Sequence, residues 1–191
     1  MVTIGLDLSI NSTGVCIYDT TKVMSFYYII SPKFTKKVSN INNAHLALIQ
    51  YEKTTVDSKL DYSVKEELKT YNIYNIVRHI KHILEVWDPD VVTIEGVSFG
   101  STGSAALIDL SGLNYMVRMA CIEAQIPNVF IVSPTQNKKF ATGNGSAEKD
   151  VMISAWQKLE KHMIGTEQYV KVDDIADAYF MARYGESLLS K

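Results

Sequence analysis

Val2, Ile4, Leu6 and Leu8 alternate with Thr3, Gly5 and Asp7 along the start of the chain. A period of two sends successive side chains to opposite faces, so residues 2–8 read as a strand. Asn11-Ser12-Thr13-Gly14 is a turn signal. Val15–Tyr18 and Val23–Ile30 read as two further short strands, joined by Asp19-Thr20-Thr21-Lys22. Such short links predict a three-stranded antiparallel meander. From Pro32 to about Tyr62 the pattern fades into Lys, Asn, Ser and Thr around one apolar patch, Ala44–Ile49. This stretch reads as a long loop or a small helical insertion.

From about Ser63 the period becomes helical, with Ile73, Ile76, Val77, Ile80, Ile83, Leu84 and Trp87 at three- and four-residue steps. Asp88-Pro89-Asp90 ends that helix. Val91–Glu95 is a short apolar strand ending in an acid, and residues 96–103 form a Gly/Ser-rich loop. The next helix, about 104–124, carries a narrow seam of Ala106, Leu110, Leu113, Val117, Ala120 and Ala124, suited either to the core or to a dimer interface. Val129–Val132 is a strand, and Ser133-Pro134-Thr135-Gln136 has the form of a capping box that opens a short helix. Gly143-Asn144-Gly145-Ser146 breaks the chain, with Ser146 as N-cap of a helix carrying Met152, Trp156, Leu159 and Met163. A final helix runs from about Asp173 to Leu188. A meander followed by alternating helices and strands predicts an α/β fold. Its mixed five-stranded sheet has three antiparallel and two parallel strands, with helices on both faces. The 191 residues fit one domain, with an insertion at about 33–62.

Composition changes this picture little. Hydrophobic residues make up 47% and charged residues 21%, an ordinary globular balance. No run of about 18 apolar residues stands out, so no membrane-spanning helix and no membrane partner are expected. The first residues carry no basic leader. Cys16 and Cys121 sit among apolar residues and are read as buried thiols in a reducing compartment, which points to the cytoplasm. The formal net charge of −2 gives no bulk attraction to nucleic acid, so any phosphate contact must come from local basic patches.

The acids carry the chemistry. Asp7 lies on a strand opposite Leu6 and Leu8, and Glu95 ends a strand whose body is apolar. Asp174 and Asp177 are three apart on a helix and share a face. Acids on apolar strands are costly unless paired, and no Lys or Arg stands beside Asp7 or Glu95 in sequence. A divalent cation is the economical partner. Mg²⁺ prefers oxygen ligands and keeps waters and substrate phosphate in its shell. Two such ions about 4 Å apart suit phosphodiester hydrolysis, and Mn²⁺ can replace Mg²⁺.

The same residues carry a resemblance. Ile4-Gly5-Leu6-Asp7-Leu8-Ser9 followed by Ser12-Thr13-Gly14, then Pro89-Asp90-Val91-Val92-Thr93-Ile94-Glu95, resemble the first two motifs of the RuvC-type Holliday junction resolvases. Gly143-Asn144-Gly145-Ser146-Ala147-Glu148-Lys149 resembles their Gly-x-Gly-Ser-Ala-Glu-Lys segment, and Asp174-Ile175-Ala176-Asp177-Ala178 their C-terminal motif. The resemblance covers nearly the whole chain outside the insertion, and the long insertion and overall drift suggest a bacteriophage-type member, in the cytoplasm of a bacterium or a phage-infected host. It implies an RNase H-like fold, a homodimer, Mg²⁺, and paired nicks across a four-way DNA junction. Asp7, Glu95, Asp174 and Asp177 are then both catalytic and metal-binding. Asp173 stands where it could also serve as a ligand. An aromatic expected three residues after Glu95 is replaced by Ser98, with Phe99 one later, placed to wedge or stack on a base.

Branched DNA would meet the basic residues. Lys149, Ser146 and Gly145 form a glycine loop opening a helix N-terminus, which suits phosphate. Lys138 and Lys139 are further candidates, whereas Lys33, Lys36 and Lys37 read as a solvated loop. His45, His79, His82 and His162 show no metal-ligand pattern, and His79 and His82 read as surface residues. Other readings keep the fold but change the substrate to flaps, RNA–DNA hybrids or RNA precursors, or make the chain a junction-binding protein that does not cut. The opening Gly-x-Asp-x-Ser pattern also resembles actin-like sugar kinases, but those need a second domain for which this chain has no room.

Overall fold

The structure is a computed structural model that describes residues 1–34, 43–97, 104–161 and 172–189. Its strands are β1 (Val2–Asp7), β2 (Thr13–Asp19), β3 (Met24–Ser31), β4 (Leu46–Gln50), β5 (Val91–Glu95) and β6 (Asn128–Val132). Its helices are α1 (Tyr62–Trp87), α2 (Ser104–Glu123), α3 (Pro134–Thr142), α4 (Lys149–Leu159) and α5 (Val172–Leu189). The strands form one sheet in the order β4-β3-β2-β1-β5-β6. The meander β1-β2-β3 is antiparallel, and β5 and β6 add parallel strands on the other side of β1.

The sheet has six strands, not five. The insertion contributes β4, which pairs parallel to β3 from Tyr27↔Leu46 to Ser31↔Gln50. The apolar patch therefore forms an edge strand, not a helix or a plain loop. Its partner is a distant strand, so its conformation is fixed by pairing that no local period announces.

Each face of the sheet has its own core. Ile4, Leu6, Val15, Ile17, Val92 and Ile94 pack against α1 and α2. Cys16, Tyr18, Tyr27 and Ile29 pack against α4 and α5, where Trp156 and Tyr179 are buried. The helical period of α1 is borne out, from an Asp61 N-cap whose carboxylate accepts from the Ser63 N–H at 3.0 Å. Ser133 and Gln136 form the expected reciprocal capping box at the start of α3. Ser146 does not cap α4. That helix begins at Lys149 after Glu148, and Ser146 instead donates from both backbone and hydroxyl to Asn144 Oδ1, at 3.1 and 2.9 Å. Tightening of the turn around Asn144 competes with capping for the same side chain.

Three other expectations change. The central part of the α2 seam, Leu113, Val117 and Ala120, is core, while Ala106 and Ala124 are exposed. Residues Ala105–Glu123 are, by length and composition alone, apolar enough to cross a membrane, which the residue-run reading missed. The buried side of that helix packs into the α1–sheet core and carries the amide of Asn114. His79 is half-buried, and its Nε2 has no partner among the described residues, so it is not a surface histidine like His82. Cys16 and Cys121 are buried and free, as expected.

Two glycines set how close α5 comes to the sheet. A Cβ on Gly5 would collide with the Ala178 carbonyl oxygen, and one on Gly14 with that of Asp174. Gly14 lies opposite Asp7 in the β1–β2 register. The two missing side chains thus form a notch that seats the first turns of α5 directly beside the end of β1.

Candidate active site

Asp7 and Glu95 end adjacent parallel strands, one step beyond the Leu6↔Ile94 pair. Their carboxyl groups are hydrogen-bonded to each other. Asp174 and Asp177 arrive on the first turns of α5, held close by the glycine notch. All four are half-buried. The structure therefore gathers the four acids predicted from the sequence at one end of β1.

Their electrostatics reflect that crowding. Burial holds the Asp7 carboxyl well above the usual range, reinforced by the negative charges of Glu95, Asp174 and Asp177. Burial, then Asp177, pushes Glu95 up to about 7, against the opposing hydrogen bond from Asp7 and the charge of Lys138. Burial, then Asp173, pushes Asp177 up to about 6, opposed by Lys138 and Lys149. Crowding of the Asp7–Glu95 pair thus favours keeping a proton on it over ionising both carboxyls without a cation.

Neighbouring residues divide the acids of α5 between two tasks. The buried Ser12 hydroxyl donates to Asp174 Oδ2. Lys149 Nζ lies 2.6 Å from Asp173 Oδ2. Asp173 is thus the partner of a lysine, and Asp174 is the one tied to the β1–β2 turn. Lys138 is half-buried and close enough to depress both Glu95 and Asp177, while Lys139 is exposed. Gly145 packs against Thr135, and Ser146 is exposed. Phe99, Lys36, Lys37, His162 and Met163 lie outside the described residues.

Three polar residues at the site have bonds that the sequence did not announce. Ser12 lies within a recognised turn, but its bond to Asp174 spans most of the chain. Asn114 Nδ2 donates to the Glu95 carbonyl at 2.8 Å, and Asn137 Nδ2 to the Asp177 carbonyl at 3.2 Å. An isolated Asn within a helix announces no such partner.

The donor set is all oxygen and short of positive charge, which fits a hard divalent cation. The fit is one of chemistry and proximity. Among the described residues no three Asp, Glu, His or Cys side chains already converge on one ion. The Asp174 carboxylate accepts from Ser12, and the carboxyls of Asp7 and Glu95 face each other.

The family model for crossover junction endodeoxyribonuclease RuvC matches residues 38–183. The chain belongs to the RuvC family. Glu95, Lys138, Lys149, Asp174 and Asp177 fall inside the match, and Asp7 lies before it, so the place of Asp7 rests on the pairing of β1 with β5. A crossover junction endodeoxyribonuclease RuvC from Caldicellulosiruptor saccharolyticus is 27% identical over 145 residues, covering 76% of this chain and 80% of that protein. One from Caldanaerobacter subterraneus subsp. tengcongensis is 25% identical with the same coverage. Among solved structures, Thermus thermophilus RuvC superposes with a TM-score of 0.61 at 16% identity, covering 100% of this chain and 97% of that one. The same protein in complex with Holliday junction substrate gives 0.59 at 17% identity, with 100% and 96% covered. At such identities the structural likeness speaks for the fold, which is RNase H-like with one added edge strand.

Proposed function

We propose that this chain is a structure-specific endonuclease that cleaves four-way DNA junctions by Mg²⁺-dependent hydrolysis, with Asp7, Glu95, Asp174 and Asp177 as the metal-binding acids. The observation that supports this most is the notch. Gly5 and Gly14 admit α5 so closely that two acids of a late helix stand beside two acids on neighbouring strand ends. Membership of the RuvC family favours the junction over other branched or hybrid substrates.

Bound Mg²⁺ would supply positive charge that activates a water and stabilises the leaving oxygen. The rest falls to the chain. Asp7, on the end of the central strand, would hold the ion together with Glu95, Asp174 and Asp177. Metal ligands bind deprotonated, so the raised carboxyls of Asp7 and Glu95 would make filling of the site depend on their ionisation. Lys138 offsets part of the charge of Glu95 and Asp177. Lys149, at the start of α4 beside Asp173, is placed to exchange that partner for a backbone phosphate.

A homodimer supplies two sites for paired nicks, since a two-fold axis matches the symmetry of a junction. The exposed side of α2 supports this. Ile108, Tyr115, Met119 and Ile122 are all more than half exposed along one stripe. With Tyr74, Arg78 and Lys81 of α1, Tyr115 and Met119 border a groove of about 360 Å³. Apolar stripes of this kind mark association surfaces.

The deciding experiment is digestion of a synthetic four-way junction beside linear duplex DNA, with and without Mg²⁺. Mg²⁺-dependent cutting of the junction alone, lost in Asp7→Asn, is the expected result. Preferential cutting of a flap or an RNA–DNA hybrid, or binding without cutting in Mg²⁺ and Mn²⁺, would overturn the proposal.

A further inference from the structure

Two buried asparagines hold the backbone under two of the acids. Asn114, on α2, is 1% exposed and caps the carbonyl of Glu95. Pairing between β1 and β5 ends at Leu6↔Ile94, so this carbonyl lies past the last rung on that side. Asn137, on α3, is 2% exposed and donates to the carbonyl of Asp177 in α5. In each case the other amide atom, Oδ1, is buried with no hydrogen-bond partner among the described residues.

That combination is informative. A buried amide with an unspent acceptor is a poor way to fill a core, because the stranded oxygen has lost its water. An apolar residue of similar size would strand no oxygen of its own but would take the donor from the Glu95 or Asp177 carbonyl, so the amide is kept for the one bond it makes. Departures of this kind concentrate at functional sites, where one specific bond matters more than stability. Both departures occur here under the acids, and on two different helices.

Resting on the metal-site reading above, we infer that Asn114 and Asn137 are positioning residues that set the spacing between Glu95 and Asp177. Neither touches substrate or ion. Asn114 ties the end of β5 to α2. Asn137 ties α5 to α3, and the residue after it is Lys138, whose charge reaches both Glu95 and Asp177. One clip therefore fixes an acid and the orientation of the helix that carries its nearest cation. Holding backbone, not side chain, leaves the carboxylates free to turn from their present partners onto an ion. Outer partners of metal ligands characteristically change metal affinity or rate by about 10–100-fold when removed.

The test compares the parent protein with Asn137→Leu, Asn114→Leu and the smaller Asn137→Ala and Asn114→Ala. Three quantities are measured: Mn²⁺ affinity by calorimetry, the Mg²⁺ concentration that half-saturates junction cutting, and junction binding without divalent metal. The positioning role predicts Mn²⁺ affinity weakened about 10–100-fold and half-saturation moved to higher Mg²⁺. Junction binding should stay within about twofold, and the metal-free leucine variants should remain folded, because removing the stranded oxygen offsets part of the loss of the carbonyl's donor. Folded variants with Mn²⁺ affinity and Mg²⁺ half-saturation within twofold of the parent would overturn the inference. If the leucine variants do not fold, the alanine variants decide by the same two measurements. Glu95→Gln is the control for the underlying reading. If it still cuts and binds Mn²⁺ normally, the metal-site proposal fails. If it loses both while the asparagine variants lose neither, only the positioning role fails.

Discussion

The Asp7–Glu95 pair makes the site sensitive to pH in a definite direction. Both carboxyls, and that of Asp177, have folded pKa values raised mainly by burial. A raised carboxyl pKa favours the folded state at low pH, and that contribution is lost as pH climbs through the folded value. For Glu95 the window runs from the ordinary 4.5 to about 7, and for Asp177 from 3.8 to about 6. The metal-free protein is therefore expected to melt at lower temperature at pH 7.5 than at pH 5, and Mg²⁺ should restore more stability at the higher pH. Scanning calorimetry at the two pH values, with and without Mg²⁺, checks this. A Mg²⁺ effect that is larger at pH 5 would contradict it. Cutting should rise with pH through the same 6–7 region. Lys149→Ala, which removes the proposed phosphate contact, should weaken junction binding about tenfold at low salt, with a shallower salt dependence. A gel-shift titration at two salt concentrations measures both effects.

At the scale of elements, the fit between α5 and the sheet is the critical contact. A methyl group on Gly5 meets the backbone oxygen of Ala178, which cannot swing aside as a side chain could. Gly5→Ala should destabilise the protein by about 1–3 kcal/mol, and should lower cutting more than junction binding. Thermal melting and single-turnover cleavage measure these. The strands and helices that carry the site were legible in the sequence because each announces itself locally. Period two marks β1, an apolar run marks β5, and a recurring apolar face marks α1. That four acids come together was legible from their places in these elements combined with the family resemblance, since each acid alone is a weak signal. What escaped was non-local. β4 is a strand only because β3 offers it an edge. The hydrogen bonds of Ser12, Asn114 and Asn137 join residues far apart along the chain. Ser146 looked like a cap, but Asn144 holds it in a turn instead. The charge of Asp173 was visible, but its pairing with Lys149 was not.

At the scale of the whole molecule, the apolar stripe on α2 lies on a different side of that helix from Leu113 and Val117, which belong to the core. A dimer through that stripe should sediment as such, and Tyr115→Glu with Met119→Glu should yield monomers. Monomers should still bind a junction but nick one strand at a time, which a denaturing gel of a supercoiled cruciform resolves. Coordinated double cuts from a strict monomer would rule out this arrangement.

The glycine notch also governs when the chain becomes dangerous to DNA. Asp7 and Glu95 emerge early in synthesis, but their two partners come only with residues 172–189, and these must slot against Gly5 and Gly14 before four acids face one another. A chain stopped before residue 172 should therefore cleave nothing, whatever metal is present. On the proposed reading of the four acids, cutting capacity would thus come only with the last segment to be made, and a chain lacking it would spare the DNA around it.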